Sequence, residues 1–510
     1  MNNRMKNVTN GIIMGLINMM INIVLPFVSR TIIIYALGTE YVGLGGLFTS
    51  ILSVLSLSEL GVGAAITYSL YKPIAERQSD KVNAILKLYR SVYRIIGSII
   101  VVISVCLMPF LDVLVAGDLP NGMNLQRLFL IYVINTSISY FVFGYKKVLL
   151  TAHQRYDLEV NITSLTLIMQ YVLQILVLLT TKNYYLYVLV FPVCTVLNNI
   201  IANFIIQKKY SQYKCEGNIG KQELKEILKN VGGAFFSKLG STIYLSVDNI
   251  VISSFLGLTT LGIYGNYYYI ISSLIAIFAI VHNSLRPTLG NCVATETVET
   301  NWIYMKKINF VYMFIVTICC SCCMVLFQDF ERVWAGEDNM LPNYLVILFV
   351  VYFYVGRISA VLGVYQEAAG IWWQGKFIPL LAALVNLAFN IIGVHFIGLP
   401  AILISSIVSS LFVTLPGTIW IMFKHYFSNS HYLSCYIKKL LETTIKAIVV
   451  VAVIYFIMHN ISVSGWGMLV IKAILCAVSS MFVLLLLNMR NSVIKEIFDT
   501  VILKVKRKDG

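Results

Sequence analysis

Ionisable side chains are scarce in this chain. Asp, Glu, Lys and Arg make up 12% of its 510 residues, about half of the quarter usual in soluble domains. With 58% hydrophobic residues, that excludes a water-soluble enzyme or binding module. No nucleophile triad, phosphate-binding glycine loop or metal-ligand cage is visible, and Ser and His occur without a recognisable motif around them. The ten cysteines are scattered. The run Cys319-Cys320-Ser321-Cys322-Cys323 fits no zinc or iron–sulfur spacing. It lies in an apolar stretch, where Cys packs as a small hydrophobe. The short alternating strands of a membrane barrel are absent.

Long apolar runs take their place. They recur at lengths near 20 residues, enough to cross a hydrocarbon core of about 30 Å. Backbone groups in lipid must be satisfied within the segment, so these runs read as helices. About fourteen spans are expected: 11–36, 42–71, 92–113, 127–149, 159–181, 184–207, 229–255, 262–287, 307–328, 343–366, 374–397, 399–423, 446–463 and 467–488. The first reads as a span rather than a cleavable signal, because it is too long and contains Arg30.

A glycine pattern occurs twice. Leu37-Gly38 is followed by Gly43 and Gly46, and Leu256-Gly257 by Gly262 and Gly265. Every Gly pairs with its counterpart at one offset of 219 residues, the length of a six-helix unit. The chain therefore reads as two pseudo-symmetric six-helix lobes, 1–210 and 229–427, plus two C-terminal helices in 446–488. A linker with a short amphipathic surface helix fills 211–228, a second linker 428–445, and a basic tail 489–510. Duplicated bundles of this kind build alternating-access transporters.

The net charge of +15 looks like a nucleic-acid signal until the charges are placed. Lys and Arg concentrate in the N-terminus, in alternate loops such as Lys72 to Arg90 and Lys208 to Lys225, and in the tail. The opposite loops hold Asp112, Asp118, Asp329, Glu331, Glu337 and Asp338. This positive-inside pattern puts both termini in the cytoplasm. It leaves no call for nucleic acid and adds attraction to anionic membrane lipids.

Ionisable residues inside spans cost on the order of 2.5–3.5 kcal/mol each on insertion scales and face cavities or partners. They are Arg30, Glu59, Lys238, Asp248, Arg286 and Arg357, with Lys376 near a span end. The offset maps Arg30 onto Asn249, beside Asp248. Arg30 then pairs with Asp248 across a central cleft as an outer gate, or with Glu59 within its own lobe. Lys238, Ser241, Thr242, Ser246, Asp248 and Asn249 form a polar stripe on one span. Such a stripe either glues helices or lines a wet cavity. Cations outnumber acids, which suits an anion such as a diphosphate, gripped by Arg and attracted by Lys. Tyr264, Tyr267, Tyr268, Tyr269, Trp372 and Trp373 are candidates for stacking on sugars or for interfacial anchoring.

Val247-Asp248-Asn249-Ile250-Val251-Ile252, Leu256-Gly257 and Leu261-Gly262-Ile263-Tyr264 resemble the signature opening the second lobe of bacterial polysaccharide flippases. These are Wzx-type members of the multidrug/oligosaccharidyl-lipid/polysaccharide (MOP) exporter superfamily. Glu59-Leu60-Gly61-Val62-Gly63, Gln154-Arg155-Tyr156 and the stretch from Asn386 through Asn390 to Gly398 add to the resemblance. It covers about the first 425 residues. The two further spans resemble the lipid II flippase branch, where such helices form a lipid-tail groove.

The resemblance implies an all-α, MATE-like integral membrane protein of the bacterial plasma membrane and not an enzyme. It implies a transporter moving an undecaprenyl-diphosphate-linked oligosaccharide outward for capsule, O-antigen or exopolysaccharide assembly. Arg30, Lys238, Arg286 and Arg357 would contact substrate, and Glu59 and Asp248 would serve gating or coupling. No cofactor or metal is expected beyond coupling to proton, sodium or membrane potential. A polysaccharide polymerase and other assembly proteins are further partners in this reading. The competing readings are a cation-coupled multidrug exporter, which needs buried carboxylates, and a polysaccharide polymerase or ligase, which needs a substantial outer loop. The longest candidate loop, Gln328 to Leu341, is short and acidic.

Overall fold

The computed structural model describes residues 2–56, 62–117, 119–120, 122–371, 373–491, 493–494 and 496. Among them are helices and turns but no strands. The chain divides into two compact units, Met1–Gly265 and Asn266–Gly510. The division falls inside a single helix, so the units do not coincide with the lobes expected from the glycine offset.

The first unit opens with α1 (Asn2–Ala36), α2 (Thr39–Leu55) and α3 (Val62–Ala75). The span expected over 42–71 is thus two helices. Glu59 lies between them, outside the described residues. Next comes α4 (Ser79–Leu107), which tightens into a 3-10 turn at Met108–Leu114. Helix α5 (Leu125–Phe141) is followed, after Val142, by Phe143 in left-handed backbone. The chain then bends by 55° into Gly144–Lys147 and α6 (Val148–Ala152). Helices α7 (Tyr156–Thr181), α8 (Tyr184–Lys209), α9 (Lys221–Leu256) and the start of α10 (Leu258–Thr295) complete it. Lys221–Leu228 is therefore the first two turns of a 36-residue helix, not a separate surface helix.

The second unit holds the rest of α10, α11 (Val298–Trp334), α12 (Asn343–Ile358), α13 (Ala360–Ala368) and α14 (Ile378–Ile397). Helix α15 (Pro400–Ser409) passes through a π-turn at Ser410–Thr414 into α16 (Leu415–His425). Pro416 explains the π-turn: it has no N–H to give, and its ring crowds the carbonyl four residues back. Last come α17 (Ser430–Met458) and α18 (Trp466–Leu487). Most of the expected 428–445 linker is thus the first four turns of α17.

Among the described residues, eleven helices are long and apolar enough to cross a membrane, or twelve counting the bent α5–α6 pair as one span. Met20–Ala36 and Thr39–Leu55 are shorter apolar helices. Short polar residues start several helices. Asn124, Asn183, Thr297 and Asn429 each accept a backbone N–H of the first turn, satisfying donors that the helix leaves open.

Helix α18 shows how a lipid-facing helix is sorted. Leu469, Lys472, Cys476, Ser480 and Leu484, spaced three and four apart, are buried. Val470, Ile474, Val478 and Phe482 are exposed on the other side. The small Cys476 and Ser480 allow close approach. The buried stripe packs with Val325 of α11 and Val450 and Ile454 of α17. In α14 and α15 the glue is polar: fully buried Asn386 donates to Ser406 at 2.9 Å, and Ser405 donates to Asn390.

Candidate functional site

The repeated glycines meet. Each copy begins at a one-glycine corner in left-handed backbone, Gly38 at φ +126° and Gly257 at φ +87°, where only glycine is unstrained. One turn on, each copy packs against the other's corner. A Cβ on Gly43 would lie 2.1 Å from the Leu258 carbonyl oxygen, and a Cβ on Gly262 would lie 2.1 Å from that of Thr39. Thr39 and Leu258 are themselves one offset apart. The junction, inside the first unit, is therefore reciprocal: two helix starts touch backbone to backbone.

Arg30 completes this junction. Its Nη1 donates to the Gly265 carbonyl at 2.8 Å, and a Cβ at Gly265 would lie 2.7 Å from Nη2. The neighbouring Ser29 shares a hydrogen bond with Tyr187 at 3.1 Å. Asp248 is buried on α9. Beside it, Asn249 donates to Ser50 of α2 at 2.9 Å. Ser253, fully buried, donates to the Leu114 carbonyl, and its own carbonyl accepts from Ala116. The α9 stripe is thus two things. Its C-terminal end, Ser246 to Asn249, is glue: Ser246 and Asp248 are buried and Asn249 is half-buried. Its earlier part, Lys238 and Ser241, is exposed.

Two lysines at the end of the expected span 127–149 fix the bend after α5. Lys146 donates to Asn203 at 2.6 Å, and Lys147 donates to Asn198, which in turn donates to Thr166. They hold the bend after α5 onto α8. Gln154-Arg155 is a turn: Gln154 has φ +58°, and Arg155 forks onto Asp157 at 2.8 and 2.7 Å.

In the second unit, Arg286 of α10 pairs with Glu367 of α13. Sequence reasoning missed Glu367, which lies one residue beyond the expected span 343–366. Arg286 is therefore not a lone cation, and the excess of positive charge is smaller than expected. Arg357 sits in the last turn of α12, just before the break at Ser359. Its Nε is buried with no hydrogen-bond partner, as are His282 Nε2 of α10 and Tyr312 OH of α11. The His282 and Tyr312 rings stack at 5.2 Å, and both feel the Arg357 charge. Three buried polar groups without partners in one place is unusual, since such groups are almost always satisfied by protein or water. Next to Arg357, a Cβ on Gly356 would meet nothing within 4 Å. His282 was visible in the sequence as the residue four before Arg286; nothing marked Tyr312.

Another missed pair is structural. Asp329 and Glu331, expected in an outer loop, lie in α11 and are buried. Lys472 of α18, 2% exposed, donates to Asp329 at 2.6 Å and to the Ile461 carbonyl at 2.8 Å. Arg332 approaches the same carboxylate at 3.3 Å. Of the aromatic candidates, Tyr264 and Tyr267 are buried, and Tyr267 donates to Gln328 at 2.7 Å. Trp372 lies outside the described residues, while Trp373 carries Lys376 3.4 Å above its ring. Among the described residues no cluster of three or more His, Cys, Asp or Glu can hold a metal ion.

Comparison with known proteins agrees with this architecture. The lipid II flippase MurJ, in an inward closed conformation, superposes with a TM-score of 0.67 at 14% identity, covering 94% of this chain and 98% of that one. An inward-facing multidrug resistance MATE family transporter of the MOP superfamily gives 0.62 at 15% identity, covering 82% and 96%. A MOP superfamily transporter from Pyrococcus furiosus, described as having a binding pocket of reversed polarity, gives 0.52 at 15%, covering 80% and 94%. At such identities the likeness is one of fold. No curated sequence matches the chain. A family model described as polysaccharide biosynthesis protein matches residues 8–292, more than half of the chain. The chain is thus a multi-pass membrane protein with the MOP transporter fold, and it belongs to the polysaccharide biosynthesis protein family.

Proposed function

We propose that the protein flips a polyprenyl-diphosphate-linked oligosaccharide from the inner to the outer leaflet of the bacterial plasma membrane, by alternating access, with both termini in the cytoplasm. The observation that carries the reading is the cluster of Arg357, Tyr312 and His282, in which the buried Arg357 Nε, Tyr312 OH and His282 Nε2 make no hydrogen bond. A diphosphate supplies acceptors for Arg357 Nε and Tyr312 OH, and a half-buried guanidinium can hold it by charge-assisted, bidentate hydrogen bonds. Family membership supports a polysaccharide precursor as cargo. An apolar groove of about 550 Å³ between α11, α12 and α17, lined by Met324, Val351, Val355, Ile448 and Val451, suits a polyprenyl tail. The MurJ likeness covers 94% of the chain and the MATE likeness 82%, which favours a lipid-linked cargo over a drug.

In this reading Arg30 and Lys238 are further anion contacts, and Arg286 acts through its Glu367 pair. Asp248 is a gate or coupling residue to proton, sodium or membrane potential, and Glu59 keeps the same assignment.

A leaflet assay tests the proposal. Depletion in the native host should trap the lipid-linked oligosaccharide in the inner leaflet. Wild type should release it, while Arg357→Ala should not, at equal protein level. Normal leaflet distribution on depletion would sink the flippase reading. Drug resistance on overexpression, lost with Asp248→Asn, would support the exporter instead.

A further inference from the structure

On the basic side of the second unit, the beginning of α11, the middle of α17 and the end of α18 enclose a cavity of about 430 Å³. Five cationic side chains line it: Lys306 and Lys307, Lys439 and Lys446, and Arg490. Glu442 also lines it, bonded to Lys439 at 3.0 Å and Lys446 at 2.7 Å. Glu496 takes Lys307 at 2.6 Å. Two carboxylates against five cations leave an excess of three positive charges in one confined space. The lysines are neither buried nor free in solution: Lys446 is 27% and Lys439 44% exposed. That is the disposition of side chains whose stems cover apolar surface while their heads sit at a membrane interface.

A second cavity adjoins the first. It measures about 750 Å³, runs along α10 and α11, and shares Lys307 and Val493 with the basic one. Leu274, Ile277, Val281 and Ile315 make its wall apolar. A compact cationic chamber thus opens at Lys307 onto an apolar channel.

We propose that this pair of cavities holds one anionic glycerophospholipid of the surrounding bilayer. Its phosphate sits among Lys306, Lys446 and Arg490, and an acyl chain lies in the channel between α10 and α11. Basic pockets between membrane helices are suited to anionic headgroups, and the channel adds apolar contact that a soluble anion does not use. The bound lipid ties the middle of α17 and the end of α18 to α11. This site shares no residue with the Arg357 cluster except Tyr312 at the channel's far end, so its failure leaves the transport reading standing.

Native mass spectrometry of the full chain, released from detergent, tests it with dioleoyl phosphatidylglycerol against dioleoyl phosphatidylcholine. One phosphatidylglycerol should be retained at least tenfold more than phosphatidylcholine. Lys306→Gln/Arg490→Gln should lower that preference about tenfold. Glu442→Gln, which releases Lys439 and Lys446, should raise it, an outcome that misfolding cannot mimic. Equal retention of the two lipids, or an unchanged preference in Lys306→Gln/Arg490→Gln, overturns the proposal. So does displacement of the lipid by equimolar inorganic pyrophosphate or undecaprenyl diphosphate, which would mark a diphosphate site.

Discussion

The two units hold their helices together by opposite means. In the first, Gly43 and Gly262 bring backbone against backbone, and Arg30 adds a hydrogen bond to the Gly265 carbonyl rather than an ion pair across the contact. In the second, Lys472 and Asp329 make a nearly fully buried ion pair that fastens α18 to α11. A glycine contact is held by packing and is easily remade after helices part. A buried ion pair loses its partner's compensation once broken, which costs about 3–5 kcal/mol. The difference teaches where motion is cheap. The glycine junction suits a contact that opens and closes. The ion pair suits helices that stay joined.

The largest effect should come from filling the glycine contact. Gly262→Val places a side chain where even a Cβ comes within 2.1 Å of a carbonyl oxygen, and backbone cannot yield as a flexible side chain can. Transport measured by the leaflet assay should fall to background, together with a loss of monodisperse protein on size exclusion. Gly46→Ala, with nothing within 4 Å, should behave as wild type in both. Normal transport by Gly262→Val would refute a packed junction.

Breaking the ion pair comes next. Lys472→Met should destabilise the protein by at most about 3–5 kcal/mol in a thermal or denaturant measurement, because the Asp329 carboxylate stays buried with Arg332 as its remaining cation. Lys472→Met/Asp329→Leu should recover most of that loss. If the double variant is as unstable as the single, the pair is not what joins α18 to α11.

These two contacts were unequally legible. The glycine repeat was written in the sequence, because an exact offset between short motifs survives even where the surrounding residues differ. Their reciprocal contact was not, since spacing says nothing about which copy touches which. The all-helical membrane fold followed from composition and run length, since lipid leaves the backbone no alternative to helix. The ion pair was hidden. Asp329, Glu331 and Arg332 lie together at the end of an apolar run, which reads as an interfacial loop, yet α11 continues to Trp334. Lys472 was a charge within an apolar run, and its need for a partner went unread. The Arg357 cluster was half legible: Arg357 and His282 carry chemistry wherever they stand, but Tyr312 on a tyrosine-rich chain carries no mark.

A smaller effect should follow at Arg286. Its pair with Glu367 is about half exposed on both sides, so its contribution to stability should be about 1 kcal/mol or less. Arg286→Gln and Glu367→Gln should each leave the unfolding midpoint nearly unchanged. If Glu367→Gln nevertheless slows transport and Arg286→Glu/Glu367→Arg restores it, the pair matters to the transport cycle rather than to the fold.

The smallest effect on stability, and the sharpest test of the comparison, lies at Gly356. It stands on α12 beside Arg357, and an added Cβ meets nothing within 4 Å. Alanine there should be neutral or stabilise the helix by about 0.5–1 kcal/mol, because glycine gives up more backbone freedom on folding. A larger side chain one position from Arg357 would compete with the anion proposed to bind there. Gly356→Leu should therefore leave the unfolding midpoint intact and lower transport several-fold. Equal losses of stability and transport would make Gly356 a packing position like Gly43, with no bearing on the cargo.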